Sequence, residues 1–166
     1  MRKLAYIDQT DIETKKIMLC QVKKGVYLFG YHYLQDTCAN WDYFFATMED
    51  AEECCLEEFG IEKEDWIIIS NPLQNCQHDF IMPTMVDKEA GKAELGYIKS
   101  LVNGKWTDYN KLEKCLSFDG LTGNERLFIS GLSEEFNHAK LNDKAKALQI
   151  LKALHFDNHA IDEIIG

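Results

Sequence analysis

Hydrophobic positions change their period twice along this chain. From Lys15 to Gly25 (KKIMLCQVKKG) an apolar run closes on a Lys-Lys-Gly turn, and Val26–Leu34 (VYLFGYHYL) places aromatics at Tyr27, Phe29, Tyr31 and Tyr33. A spacing of two lines one face of a strand, so the pair reads as a β-hairpin. Leu28 and Leu34 fall on the opposite phase and point to a sheet covered in part on both faces. After Thr47 the period becomes helical, with Met48, Ala51, Cys55 and Phe59 on one stripe. Thr47 can cap this helix, Asp50 takes the capping-box position, Gly60 suits a left-handed C-cap and Ile61 can fold back on it. The polar face of the predicted helix over 47–59 is Glu49, Glu52, Glu53, Glu57 and Glu58. Acids near a helix C-terminus oppose its dipole, a hint that they serve something besides the helix.

Trp66–Ile69 is wholly apolar and reads as a buried strand, followed by a polar loop to Asp79. Phe80–Val86 reads as a further strand, which Pro83 confines to a sheet edge or a bulge. Residues 87–94 read as an exposed loop. Gly96–Val102 predicts another strand, and Asn103-Gly104 a tight hairpin turn into Lys105-Trp106. Beyond residue 108 the character is helical. A short helix is expected over Tyr109–Leu116, and Thr122 and Glu125 form a capping-box pattern. A stripe of Phe128, Leu132, Phe136 and Ala139 then runs through Leu141. Asp143 and Asp157 can cap two more helices, one carrying Ala147, Leu148, Leu151 and Leu154 and the other Ile161, Ile164 and Ile165. The expectation is an α+β fold: in residues 1–106 a small antiparallel or mixed sheet packed by one acidic helix, then a three-helix C-terminal module over 107–166. Whether that module packs on the sheet or stands apart is open at this level.

Composition is that of an ordinary folded chain, 46% hydrophobic with two prolines, but the net charge of −10 is concentrated. Asp42 to Asp65 holds ten acids against one base, Lys63. Such a field suits a basic protein and repels a nucleic-acid backbone. No run approaches the roughly 20 apolar residues of a membrane helix. The start, MRKLAYIDQTD, turns polar too soon for a signal peptide. The six cysteines form no C-x-x-C pair, and Cys54-Cys55 lies inside a helical pattern, so reduced thiols and a cytoplasmic location are expected. Phosphate-binding glycine loops, zinc-protease, calcium-loop and serine-hydrolase motifs do not occur, and no cofactor is expected.

The stretch NPLQNCQHDFIMP, residues 71–83, brings Cys76, His78 and Asp79 together in sequence. Cys38 could join Cys76 and His78 on a metal, but the spacing lacks the C-x₂₋₄-C or H-x₃₋₅-H anchor of a zinc site. Cys76 could be a nucleophile with His78 as base and Asp79 as orienting group. The simpler reading is structural: Asn71-Pro72 sets a turn, Cys76 is a small buried hydrophobe, and His78 or Asp79 hydrogen-bonds loop backbone.

The run YLFGYHYLQDTCANWDYFFATMEDAEECCLEEFGI, followed by DWIIISNPLQNCQHDFIMPTMV, resembles a group of uncharacterised small bacterial proteins. In that group an aromatic strand, an acidic helix ending in Phe-Gly-Ile and a Cys-Gln-His-Asp-[Phe/Trp]-Ile-x-Pro ending follow in order. The resemblance covers about residues 26–86, with Asp36, Asp42, Thr47, Gly60, Trp66, Pro72, Cys76, Gln77, His78, Asp79, Ile81 and Pro83 among the matching positions. Asn75 stands where the group's pattern has glycine, which puts the tight turn there in question. The resemblance implies a fold and a bacterial origin and carries no activity.

The leading expectation is a non-enzymatic interaction protein. It would present Asp36, Trp41, Asp42, Glu49, Glu52, Glu53 and Glu57 to a basic partner, in the manner of the small acidic immunity proteins that neutralise bacterial toxins. One alternative is a small cysteine/histidine enzyme or metal protein centred on Cys38, Cys76, His78 and Asp79. Another is a structural or regulatory subunit that uses its helical tail.

Overall fold

The computed structural model describes residues 1–87, 97–109 and 114–166. Its centre is an antiparallel five-stranded sheet in the order β4-β3-β2-β1-β5, where β1 is Arg2–Tyr6, β2 Lys16–Val22, β3 Gly25–Tyr31, β4 Trp41–Phe45 and β5 Ile67–Ile69. A second antiparallel sheet joins β6 (Thr84–Asp87), β7 (Tyr97–Val102) and β8 (Lys105–Asp108). With helix α1 (Met48–Phe59) and four helices in the tail, the chain is α+β.

Both faces of the large sheet are buried, which explains why β2 is apolar almost throughout instead of alternating. On one face Ala5, Ile17, Leu19, Val26 and Leu28 pack against Met48, Ala51 and Cys55 of α1. On the other, Leu4, Met18, Tyr31, Ile67 and Ile69 share a core with Phe118, Leu132, Phe136, Ile150 and Leu151 of the tail. The tail therefore packs on the sheet and does not stand apart.

Local signals translate directly. The predicted hairpin pairs Lys16 with Tyr31 and Val22 with Gly25. Thr47 caps α1 by accepting from the Asp50 N–H at 3.1 Å. Gly60 ends α1 at φ 68°, and the Ile61 N–H returns to the Cys55 carbonyl. Asn103 and Gly104 both take positive φ in the β7–β8 turn, as a two-residue hairpin connection demands. The Thr122–Glu125 capping box opens helix α2 (Gly123–Ile129).

Several expectations are corrected. Trp41–Phe45 forms the edge strand β4 and Arg2–Tyr6 the strand β1, neither of which the hydrophobic pattern suggested. Ile68 on β5 is 58% exposed, because an outer strand lacks cover on one side of its pleat. Phe80–Met82 is not strand; β6 begins only after Pro83, at a sheet edge as proline requires. β8 continues to Asp108, past the boundary expected after Trp106. Residues 114–116 are not helical, and 110–113 lie outside the described residues, as do 88–94 of the expected exposed loop. The described part of the tail has four helices where three were expected: α2, α3 (Ser133–Asn142), α4 (Lys144–Ala153) and α5 (Asn158–Ile165). Gly131, at φ 77°, breaks the expected single stripe, so that Leu127 is buried while Phe128 and Leu141 are exposed.

Candidate functional site

The loop holding Cys76, His78 and Asp79 is built around its backbone. Asn75 takes φ 67°, the left-handed conformation that glycine favours and asparagine tolerates, so asparagine keeps the turn. The Cys76 N–H returns to Leu73 and the Gln77 N–H reaches Thr84. Beyond Gln77 the chain is held by side chains of β1, of β3 and of the segment just after β3. Arg2 on β1 donates from Nε to the Ser70 carbonyl at 2.7 Å and from Nη1 to that of Phe80 at 2.5 Å. Longer contacts of 3.4 Å reach the carbonyls of His78 and Ile81. The Tyr31 hydroxyl on β3 donates to the Asp79 carbonyl at 2.7 Å.

Asp36, just past β3, supplies the acceptors. Its two carboxylate oxygens take the N–H groups of Ile81 and Met82, both at 2.8 Å. The Asp79 carboxylate returns the favour, accepting from the Ala39 N–H at 3.0 Å. Asp36 also joins the tail: its N–H donates to Ile129, and a Cβ on Gly131 would lie 2.7 Å from its Oδ2. Only glycine, with positive φ and no side chain, fits that position.

This interior holds charge. Asp36 is 2% exposed and Lys16 fully buried; the Lys16 ammonium donates to the Gln35 carbonyl at 2.9 Å and sits 4.5 Å from the centre of the Tyr31 ring. Burial pushes the Asp36 carboxyl up to about 6, although Lys16, the two loop amides and Arg2 pull it down. Burial likewise lowers the Lys16 ammonium to about 8, with Asp36 opposing.

The candidate catalytic and metal residues are thus placed one by one. Cys76 is buried, and burial raises its thiol pKa, the reverse of an activated nucleophile. His78 and Cys38 have exposed side chains, and no hydrogen bond joins Cys76 to His78. Among the described residues no three histidine, cysteine or acidic side chains converge in a group able to hold a metal ion. A cleft of about 410 Å³ opens beside the loop, walled by Leu73, Ile81, Met82, Pro83 and Leu101 and bordered by Glu134 and His138. Arg2, which reaches it, already serves loop carbonyls.

The acidic set divides. Asp36 is interior and belongs to no surface, a correction to its expected partner-binding role. Glu52 is held by Lys3 in an ion pair. Glu49, Glu53, Glu57 and Glu58 are exposed on α1, and no described cation pairs with them. Asp42 is exposed on β4. Trp41 is half-buried, stacked on Phe59 at 6.0 Å between ring centres, with its indole N–H on Thr14. The exposed aromatics are its neighbours, Tyr43 at 55% and Phe44 at 51%. Phe44 was missed because no strand was read over 41–45. The available signal was four aromatics in the five residues Trp41–Phe45, shortly before the Thr47 cap.

Two outcomes follow from the interior network. Arg2→Met strands four loop carbonyls and is expected to cost about 3–5 kcal/mol in urea denaturation, with Arg2→Lys intermediate because an ammonium cannot fork to them all. A change below about 1 kcal/mol for Arg2→Met would show that the carbonyls find other donors. Asp36 titrates at 3.8 in an ordinary environment and near 6 in the fold, so its folded form gains stability as pH falls through that window. Losing Asp36 would lower Lys16 further, which acts in the same direction. The wild type should therefore gain about 3 kcal/mol on Asp36→Asn between about pH 7 and about pH 4; a gap independent of pH contradicts this.

Comparison with protein-family models, with curated proteins and with solved structures finds no match to this chain.

Proposed function

We propose that this chain is a non-enzymatic interaction protein that receives a basic protein partner on the outer face of α1 and the adjoining strand β4. The observation that carries the reading is the juxtaposition of exposed Glu49, Glu53, Glu57 and Glu58 with exposed Tyr43, on the α1 side of the strand that leads into the helix. Unpaired carboxylates speed encounter with a cation-rich surface, and exposed aromatics supply the apolar anchor that charge alone does not. The Cys-Gln-His-Asp loop does not compete as a reactive centre, since burial raises the Cys76 thiol, His78 is exposed, and the Asp79 carboxylate holds the Ala39 amide.

Neutralisation of a basic toxin, in the manner of an immunity protein, is the form of this role that size and charge favour. Membership of the bacterial group with the Cys-Gln-His-Asp motif is part of the same proposal. A cytoplasmic location is supported by six cysteines that are all unpaired. Among the described residues no helix is long and apolar enough to cross a membrane. A phosphate backbone is a poor partner for a chain of net charge −10.

The test compares the full chain with a variant carrying Glu49→Lys, Glu53→Lys and Glu57→Lys, which spares the Lys3–Glu52 pair. Partners captured at low and moderate salt would be identified by mass spectrometry and their affinities measured. A basic partner weakened about tenfold or more by the triple reversal, and weakened by salt, is the expected result. A partner held equally by both folded proteins would make the acidic face a merely solvated one.

A further inference from the structure

We infer that the partner docks as an added strand: an extended, lysine- or arginine-bearing segment pairs with the free edge of β4. This rests on the proposed function and specifies how the partner is held.

β4 pairs on one side with β3, from Val26 with Phe45 to Gly30 with Trp41, and on the other with no described strand. Open edges are hazardous to a soluble protein, and they are normally blunted by lysine, proline, a bulge or a covering element. The opposite edge of this sheet shows such care. β5 has three residues, Gln149 of α4 holds the Trp66 carbonyl just before it, and Glu135 of α3 holds the Ser70 N–H just after it. β4, reading Trp-Asp-Tyr-Phe-Phe, has neither lysine nor proline, its one charge is Asp42, and no described tail residue hydrogen-bonds to it.

Its side chains also suit an incoming strand. Successive residues point to opposite faces, and each face of β4 offers an exposed aromatic. Tyr43 lies on the α1 side, 5.2 Å from Trp41. Phe44 lies on the other, 5.0 Å from Tyr27, which in turn stacks on Phe29. Strand addition uses main-chain hydrogen bonds for affinity and alternate side-chain contacts for selection.

Charge decides the occupant. A second copy pairing edge to edge would bring its own Asp42 to the seam and set both α1 helices on the same face of the joined sheet. Two segments of ten acids and one base each would then lie side by side. An extended basic segment meets Asp42 and the exposed α1 glutamates with opposite charge instead.

The probe is a short fluorescent peptide of alternating lysine and valine, offered to the full chain beside a copy whose alternate amides are N-methylated. Anisotropy gives affinity, and hydrogen exchange over 41–45 reports the edge. The expected result is binding of the plain peptide with new protection at β4, and at least tenfold weaker binding of the methylated one. Equal binding of both without protection at β4 overturns the added strand but leaves the acidic-face reading standing. No binding of either peptide to the folded protein counts against both. Protection of 41–45 that grows with protein concentration alone identifies a second copy and overturns the assignment.

Discussion

The segment from Asp79 to Met82 is half to fully buried without belonging to any helix or strand, and the fold depends on how its backbone is satisfied. Buried amides and carbonyls without partners are costly, so a segment of this kind needs donors and acceptors brought to it. Arg2 supplies most of the donors, Tyr31 one more, and Asp36 both acceptors for Ile81 and Met82. Because the Asp36 N–H also donates to the Ile129 carbonyl and its carboxylate crowds Gly131, the same residue fixes where the helical tail begins its turn across the sheet. Gln35, its neighbour, takes the Cys115 N–H and fixes the tail's approach.

Holding charge in this place is expensive. Arg2, Lys16 and Asp36 are all buried, and the raised carboxyl and lowered ammonium record the cost of taking them from water. What the arrangement provides is definition: a forked guanidinium and a two-pronged carboxylate accept only one path for the loop. An apolar interior could bury the same area without specifying that path. The division of labour for function follows. Of the residues that look most chemical in the sequence, Cys76 is buried and Asp79 holds a backbone amide, and the proposed partner surface, the acidic outer face of α1 with the edge of β4, draws on neither.

What could be read from sequence was whatever local chemistry decides. The β2–β3 hairpin, α1 with its Thr47 and Gly60 caps, the Asn103-Gly104 turn and the Thr122 capping box each depend on a few adjacent residues. The structural reading of the Cys76 loop was also within reach, down to an Asp79 carboxylate binding loop backbone, though the backbone is that of Ala39 across the fold. Hidden were the features made by residues far apart in the chain. Arg2 reaches 78 residues ahead to Phe80, and Asp36 reaches 45 ahead to Ile81. An aspartate in a polar run carries no mark of its burial, which is why Asp36 was grouped with the surface acids. β4 was hidden for a related reason: five residues before a strong helix cap are too few to display a period of their own.

Amide hydrogen exchange at Ile81 and Met82 tests most directly whether this non-regular segment is an integral strut of the fold. If the Asp36 carboxylate holds both amides inside, they should exchange only with global unfolding, at the free energy of the β1 and β2 amides. Exchange of both at rates typical of an open loop, while the sheet stays protected, would mean the segment detaches on its own and the fold does not depend on it.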